Sequence, residues 1–568
     1  MNSPKPALVT QRGARRLPRM ALLLLCAAYV LPGLVGRDPW RNADVTAFGQ
    51  MMAIAEGRTS WWAPTLGGVQ ADTALLPHWL GAAFIQSFSG WLDPPLAARM
   101  PFALLLALTL TLVWYTTFHL ARTESAQPVP FAFGGEAEPV DYARAIADGA
   151  VLAFIATLGL LVLGHETTPE LAQLFATSLY LYALAAAPYR VVQSRLAVLV
   201  ALPLLAGSGA PSMALAAGAA GVAICAMSRY APVRALVLWV AIAMAGAAML
   251  AGWLGAWRWR TLALTPADVA DLARQWLWFL WPAWPLALLT LWRWRRQLAH
   301  RHLSVPLVAV VVALIASLSM AGSDRALMLG VPGLAVLAAF ALPTLKRSAS
   351  AAMDWFSMCF FTLLAVWIWF VYIAMQTGAP DWQAANVTRL LPGYSASFSA
   401  WALAVAVAGT VAWIAVVRWR TGRHREALWK SLVLPAGGVA LCWMLAMTLW
   451  LAPLDYARSP RALVTRLAAV LPADSCVAAP GLAPAAVAAM EVFGGWRVDA
   501  RPQAAAPAPD ACNYLLRATR ENPLPPAPSS PSSPSSPSSP PGWEFIGQAQ
   551  RPTDREEVTL IYKRQLPR

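Results

Sequence analysis

Apolar stretches recur along the chain as far as residue 451, and they constrain its fold more than any other feature. A membrane-spanning helix needs roughly 20 apolar residues, and about thirteen segments approach that length. Only 12% of the 568 residues are charged, whereas soluble globular proteins have about 25%. Soluble enzymes are thereby excluded, and we predict a polytopic α-helical membrane protein. The predicted spans cover about 18–36, 95–120, 148–164, 169–188, 195–208, 212–228, 235–254, 275–292, 304–321, 326–343, 354–375, 397–417 and 429–451.

The distribution of basic residues predicts the orientation of these spans. If the N-terminus is cytoplasmic, the cytoplasmic loops hold more than twice as many Lys and Arg residues as the outer loops, in agreement with the positive-inside rule. This asymmetry accounts for much of the net charge of +15 without nucleic acid. The N-terminal basic and apolar segments resemble a signal peptide, but no clean cleavage site follows, so we predict an uncleaved span. Because residues 207–212 interrupt the short pair at 195–228, these two segments are either tilted or re-entrant.

The first outer loop, residues 37–94, is far too long for a simple turn between two spans. Val45–Glu56 has an apolar face at helical spacing and is expected to lie along the membrane surface. Leu75–Phe88 has the character of a second such helix. We therefore expect this loop to carry chemistry.

Residues 452–568 differ in composition from the preceding 451 and are predicted to form a small α/β domain outside the membrane. We predict strands at 475–479, 496–500 and 513–517, a helix at 484–493 and a closing hairpin from 543–549 and 557–563. A Pro/Ser-rich spacer at 523–541 cannot form a core. Cys476 and Cys512 each fall at a strand edge, where they form either a disulfide in an oxidising compartment or two buried thiols.

Carboxylates are few, and several fall in the predicted outer loops, where ionisable groups near the membrane are costly and often functional. Asp44 begins the first loop helix and is either an N-cap or a catalytic base. His165 and Glu166 lie with Glu170 in a very short turn between two spans. With Asp72, His165 and Glu166 could bind a divalent metal cation. The alternative is a solvated turn in which Glu170 caps the next helix.

Two arginines at the predicted outer face are candidates for binding phosphate. Arg325 precedes a span, and the alternative is that it reaches to the interface or pairs with Asp324. Arg258, within the sequence Trp-Arg-Trp-Arg, suits a lipid headgroup or a stacked sugar, but it equally suits an ordinary aromatic belt. The sequence contains no Walker, HExxH, GxSxG, CxxC or GxGxxG motif. ATPases, zincins and dinucleotide-dependent enzymes are therefore disfavoured.

The order of these landmarks resembles the GT-C membrane glycosyltransferases, in particular the branch of lipid A aminoarabinose transferases and protein mannosyltransferase-like enzymes. The family's first-loop motif is matched by Asp44 followed by Phe48. Further along lie Trp61, Trp79 and the acidic Glu170, and then Arg325 before a Leu/Pro-rich span. Val45 stands where the family usually has Glu, and Thr73-Ala74 stands where it has Lys-Pro. We therefore do not predict an aminoarabinose transferase itself.

The resemblance implies a bacterial inner-membrane glycosyltransferase with a cytoplasmic N-terminus and a periplasmic C-terminal domain. The donor would be a polyprenyl-phosphate sugar and the acceptor an envelope lipid, glycan or protein. Asp44 and Glu170 would be the catalytic residues. Arg325, Arg258, Trp61 and Trp79 would bind substrate, with a divalent metal as a possible cofactor at Asp72, His165 and Glu166. Asp44, Asp72 and Glu170 would then line one cavity beyond the outer leaflet.

Two other functions remain open from the sequence. The first is a transporter or flippase of lipid-linked sugars, although no convincing internal repeat is present and the carboxylates fall outside the predicted spans. The second is a catalytically degenerate scaffold of the same fold, because several motif positions are substituted.

Overall fold

The computed structural model describes residues 7–40, 42–70, 74–131, 134–257, 266–320, 323–422, 427–505, 512–519, 540–554 and 557–565. Helices account for most of this length. The elements are α1 (Arg19–Val30), α2 (Asn42–Ala55), β1 (Thr65–Leu66), β2 (Val69–Gln70), α3 (Leu75–Phe88), α4 (Pro94–Ala121), α5 (Pro139–Ala156), α6 (Leu160–Leu163), α7 (Pro169–Ala186), α8 (Val191–Gly207), α9 (Pro211–Ala226), α10 (Ala231–Trp253), α11 (Pro266–Phe279), α12 (Ala283–Arg293), α13 (Arg301–Ser319), α14 (Asp324–Met328), α15 (Val331–Ala341), α16 (Arg347–Thr377), α17 (Asp381–Leu390), α18 (Ala400–Thr421), α19 (Lys430–Leu449), α20 (Leu451–Arg458), α21 (Arg461–Ala468), β3 (Cys476–Ala478), α22 (Pro484–Gly494), β4 (Arg497–Asp499), β5 (Tyr514–Thr519), β6 (Trp543–Gln550) and β7 (Val558–Arg564).

Each predicted span coincides with one or more helices, and the predicted helical membrane fold is confirmed. Six helices among the described residues, namely α4, α10, α13, α16, α18 and α19, are long and apolar enough to cross a membrane. Others are shorter than predicted because proline and glycine interrupt them. The span predicted at 275–292 is divided between α11 and α12 by the turn that contains Pro282. Proline also occupies the first turn of α4, α5, α7, α9 and α10, where its missing N–H is tolerated.

The two helices of the first outer loop form a layer above the bundle rather than an exposed surface. Helix α3 has the predicted bounds, and α2 begins three residues earlier than predicted. All residues of α2 from Ala47 to Ile54 are buried, because α2 packs against α3 and also against α22. Gly49 permits this contact, since a Cβ there would lie 2.4 Å from the Cβ of Ala488.

The C-terminal segment forms the predicted small sheet with α22 packed against it. The strand order is β4-β3-β5-β7-β6, with β3 parallel to both β4 and β5 and the remaining pairs antiparallel. Cys476 and Cys512 are joined in a disulfide, so the first of the two alternatives drawn from the sequence is the one observed. A core of buried residues from α21, α22 and the sheet includes Val45 and Leu66. The sheet domain is therefore packed onto the first outer loop.

Candidate active site

Asp44 lies in the first turn of α2 and is 1% exposed. Its Oδ1 accepts hydrogen bonds from the backbone N–H (2.8 Å) and hydroxyl (2.7 Å) of Thr167, and its Oδ2 accepts one from the backbone N–H of Trp40 (3.4 Å). Asp44 is the third residue of α2 and does not occupy the N-cap position that the sequence offered as one alternative; its partners belong to two neighbouring segments. The carboxylate joins the end of the first span, the first outer loop and the turn before α7.

Arg325 lies in α14, whose N-terminus is capped by the hydroxyl of Ser323. Its guanidinium donates to Glu166 Oε2 (2.6 Å), Glu170 Oε2 (3.3 Å) and Thr168 Oγ1 (3.1 Å). Arg325 therefore binds the segment around the start of α7. These hydrogen bonds differ from both alternatives drawn from the sequence, in which Arg325 extends to the membrane interface or pairs with Asp324. One guanidinium holds both carboxylates of this segment in place.

Thr167 lies between Glu166 and Thr168 in the chain and links the two charged groups of the site. Asp44 binds Thr167, while Arg325 binds the residues on either side of it. Asp44, Glu170 and Arg325 are thus brought together through one segment, residues 166–170. The sequence identified all three of them, but it gave no indication of Thr167 as the link.

His165 is buried behind this segment. Its Nε2 lies 2.7 Å from the carbonyl oxygen of Tyr29 and its Nδ1 lies 2.9 Å from that of Leu161. The ring also contacts Trp443, with ring centroids 4.6 Å apart. Both ring nitrogens therefore face backbone oxygens, which occupy the directions that a metal ligand would use.

Of the three residues predicted to bind a metal, the structure describes His165 and Glu166. Asp72 lies outside the described residues, and Glu166 is engaged by Arg325. Among the residues that the structure describes, no group of three His, Cys, Asp or Glu side chains could hold a metal ion. A divalent cation bound by Asp72, His165 and Glu166 stays a prediction from the sequence, and the surroundings of His165 do not favour it.

Two buried arginines that the sequence did not single out stand beside Asp44 and His165. Arg37 donates to the carbonyl oxygen of His165, and Arg99 donates to that of Arg37 (2.7 Å). They are 3% and 4% exposed, and no described residue forms a hydrogen bond with Arg37 Nε, Arg37 Nη1 or Arg99 Nε. Buried cations of this kind favour negative charge nearby. The sequence feature that could have identified these two arginines is their position near the ends of predicted spans.

A second group, the tail clamp, consists of Asp38, Asp455, Ser459 and Arg461. Asp38 accepts hydrogen bonds from the hydroxyl of Ser459 (2.7 Å) and from two guanidinium nitrogens of Arg461 (2.9 and 2.8 Å). Asp455 accepts from the backbone N–H of Asp38 (2.9 Å) and from the indole N–H of Trp40 (2.7 Å). Burial raises the pKa of Asp38, but the hydrogen bonds from Arg461 and Ser459 outweigh it and leave that pKa below its ordinary value.

Trp40 connects the tail clamp to the candidate catalytic carboxylate. Its side chain binds Asp455, while its backbone N–H binds Asp44. Arg37 and Arg458 contact the Trp40 ring, with their guanidinium carbons 5.0 and 5.5 Å from the ring centroid. Residues after the last span therefore help to fix the segment that precedes Asp44.

Trp61 and Trp79, predicted to bind substrate, line an aromatic pocket of about 320 Å³ together with Ser60 and Trp62. The indole N–H of Trp79 donates to the carbonyl oxygen of Trp61 (2.6 Å), and the Trp62 ring packs edge-on against those of Trp79 and Trp253. Arg258, which was also predicted to bind substrate, lies outside the described residues. Trp61 and Trp79 are thus brought together.

A larger cavity of about 1380 Å³ lies between the outer ends of α1, α16, α18 and α19. Its walls along the helices are apolar and include Leu24, Leu31, Trp401 and Met444. Its other end is polar. The polar lining includes Asp38, Gln376, Tyr394, Asp455, Tyr456, Ser459 and Arg461. The tail clamp therefore lines the polar end of this amphipathic cavity.

Two solved structures share the fold over almost the whole chain. The crystal structure of ArnT from Cupriavidus metallidurans bound to undecaprenyl phosphate has 13% sequence identity and a TM-score of 0.56, covering 96% of this chain and 97% of that one. The apo structure of the same protein has 14% identity and a TM-score of 0.55, with 96% of each chain covered. No family model and no curated protein matches the sequence. The GT-C resemblance drawn from the sequence is thus confirmed for the fold.

Proposed function

We propose that this protein is an integral-membrane glycosyltransferase that transfers a sugar from a polyprenyl-phosphate donor to an envelope acceptor. The observation that carries the proposal is the junction at residues 166–170. There Asp44, a candidate base, and Arg325, a candidate phosphate ligand, are held to one short segment by hydrogen bonds. Undecaprenyl phosphate, bound to the ArnT structure of the same fold, supports a donor of this class.

The proposed reaction is an inverting displacement at the anomeric carbon. The acceptor hydroxyl oxygen forms the new bond to that carbon while its proton passes to the Asp44 carboxylate. The bond from the anomeric carbon to the phosphate oxygen breaks, and its electron pair leaves with the polyprenyl phosphate. Because the leaving group is a phosphate, positioning and charge neutralisation supply most of the required catalysis.

Arg325 is the proposed cation for the departing phosphate, with Glu170 as the residue that holds its guanidinium towards the site. Arg37 and Arg99 add positive charge beside Asp44. Trp61 and Trp79 are proposed to stack on the sugar. These roles rest on where the side chains lie and on the charge that the reaction develops.

The amphipathic cavity favours a lipid as one of the reactants. Its apolar walls suit hydrocarbon, and its polar end suits a headgroup with several hydroxyl or phosphate groups. The tail clamp lines that end, and Trp40 links the clamp to Asp44 by hydrogen bonds. Among the acceptors considered from the sequence, an envelope lipid therefore fits better than a soluble glycan or a protein.

Asp44 accepts three hydrogen bonds and is almost completely buried, so an acceptor hydroxyl can reach it only after one of these contacts rearranges. The hydroxyl of Thr167 is the simplest one to displace, because the backbone N–H of Thr167 can continue to hold the carboxylate. This requirement makes Thr167 a positioning residue in the proposed mechanism.

The test is transfer of radiolabelled sugar from polyprenyl phosphate to envelope lipids in membranes that contain the full-length protein. We expect Asp44→Asn to lower the transfer rate by about 10²- to 10⁴-fold, the usual contribution of a general base. Asp381→Asn is the matched control, because Asp381 is an exposed carboxylate in the first turn of α17. Equal transfer by wild type and Asp44→Asn would favour a scaffold, and sugar-lipid uptake into vesicles without transfer would favour a flippase.

A further inference from the structure

The end of the helical bundle opposite Asp44 carries a cluster of cations and aromatic rings centred on Tyr189. Helix α7 runs from the 166–170 segment to this end, so the two sites are separated by the length of the helix. The Tyr189 cluster consists of His119, Arg122, Tyr189, Arg190 and Arg301. The ring of His119 stacks on Tyr189 at 5.5 Å, and the guanidinium carbon of Arg122 lies 4.6 Å from the Tyr189 centroid.

Arg301 is the buried arginine of this cluster, and only part of its guanidinium is hydrogen-bonded. It lies at the start of α13, is 7% exposed and donates one hydrogen bond to the carbonyl oxygen of Leu184. Within the described part of the chain, its Nε and Nη1 atoms have no partner, and neither does Nδ1 of His119. Unsatisfied buried polar atoms are strongly unfavourable, so these atoms indicate a partner that the described residues do not supply.

The cluster has cations but no compensating carboxylate. Within the described part of the chain, no ion pair includes Arg122, Arg190 or Arg301. By contrast, the arginines at the outer face, Arg325 and Arg461, each pair with a carboxylate. Arg122 and Arg190 are both close enough to act electrostatically on His119. The cluster is therefore complementary to an anion.

We propose that the Tyr189 cluster binds the phosphodiester headgroup of an anionic phospholipid. Arg122 and Arg190, the more accessible arginines, contact the phosphate from the outside, and the buried Arg301 donates to it through Nε and Nη1. Guanidinium groups match phosphate oxygens in geometry and charge, and basic sites between membrane helices are suited to anionic headgroups.

The surroundings of the cluster favour a lipid over free phosphate as the source of this anion. Val192 and Leu196 lie near the start of α8, shortly after Arg190, and Met227 follows the last residue of α9. Their exposed fractions are 67%, 59% and 77%. Exposed apolar side chains next to a cationic site provide contacts for acyl chains, which inorganic phosphate cannot use. A phospholipid at this position would join α4, α7 and α13 at their common end.

The experiment measures binding of phosphatidylglycerol and phosphatidylcholine to the purified full-length protein in neutral detergent by native mass spectrometry. Removing one arginine near the surface should weaken anionic lipid binding about fivefold, so Arg122→Gln with Arg190→Gln should weaken phosphatidylglycerol binding about thirtyfold. Phosphatidylcholine binding should not change. The charge-preserving pair Arg122→Lys with Arg190→Lys should retain most of the binding.

The control is Arg295→Gln with Arg296→Gln, an equal charge change at exposed positions near the start of α13. If this control weakens phosphatidylglycerol binding as much as the cluster variant does, the lipid is attracted by positive charge anywhere on this surface, and the proposed site is wrong. Displacement of the lipid by millimolar inorganic phosphate would also overturn the assignment and identify a free-phosphate site. Unchanged melting temperatures in phosphatidylcholine confirm that the variants are folded.

Discussion

Arg461 donates two hydrogen bonds to the two carboxylate oxygens of Asp38, at 2.9 and 2.8 Å. The two residues are separated by 423 positions in the chain. Asp38 follows the first span in the chain, and Arg461 is the first residue of α21 in the C-terminal domain. This pair therefore connects the C-terminal domain to the segment that contains Trp40 and leads to Asp44.

We predict that Arg461→Gln lowers the transfer rate without altering donor binding. The variant removes the guanidinium that pairs with buried Asp38, at a cost of about 1.5–3 kcal/mol for a hydrogen bond to a charged group. It also loosens the segment around Trp40. The measurement is sugar transfer together with thermal unfolding. Arg497→Gln, an exposed change in the same domain, should leave both unchanged. An effect on stability alone, with a normal rate in the folded fraction, would contradict a positioning role for Arg461.

The Asp38 pair should also make stability depend on pH. Because the pKa of Asp38 in the folded protein is below its ordinary value, the pair contributes fully above the unfolded pKa of about 3.9. The contribution is lost as the pH falls through the folded pKa. The difference in melting temperature between wild type and Arg461→Gln should therefore be constant near neutral pH and shrink below about pH 4. A difference that is the same at low and neutral pH would show that Asp38 charge is not involved.

Arg325 should be more important for stability than an exposed arginine, because Glu166 is buried. Its guanidinium lies 2.6 Å from Glu166, whose side chain is 3% exposed. Arg325→Gln removes the guanidinium that pairs with that carboxylate and should destabilise the protein by about 3–5 kcal/mol, the usual effect of breaking a buried ion pair.

The double variant Arg325→Gln with Glu166→Gln separates the structural role of Arg325 from its proposed catalytic role. We expect the double variant to regain much of the lost stability, because both charges are removed together. Transfer should remain low, because the proposed phosphate ligand is still missing. Recovery of transfer along with stability would show that Arg325 serves only the fold.

The disulfide between Cys476 and Cys512 should stabilise the C-terminal domain. It links residues 36 positions apart, and a cross-link of this kind typically contributes about 2–4 kcal/mol. Replacing both residues by Ser should lower the unfolding temperature under oxidising conditions and remove the effect of added reductant. Equal unfolding temperatures for the wild type with and without reductant would contradict the prediction.

The sequence by itself determined the fold class, most of the helices and the strands of the C-terminal sheet. Apolar length, proline position and alternating patterns act locally, so they can be read without knowing the tertiary contacts. The same local signals identified Asp44, Glu170 and Arg325 as candidates, since charged groups are rare in such a chain and stand out beside its spans.

Only the tertiary structure decided which of these groups meet. Thr167 links Asp44 to the Arg325 site, Arg461 holds Asp38, and α22 covers α2. The partners in each contact come from distant parts of the chain, and a hydrogen bond or a packed face between them leaves no periodic signal in either segment. The sequence specified the side chains that can react or bind, while packing specified which ones are held together.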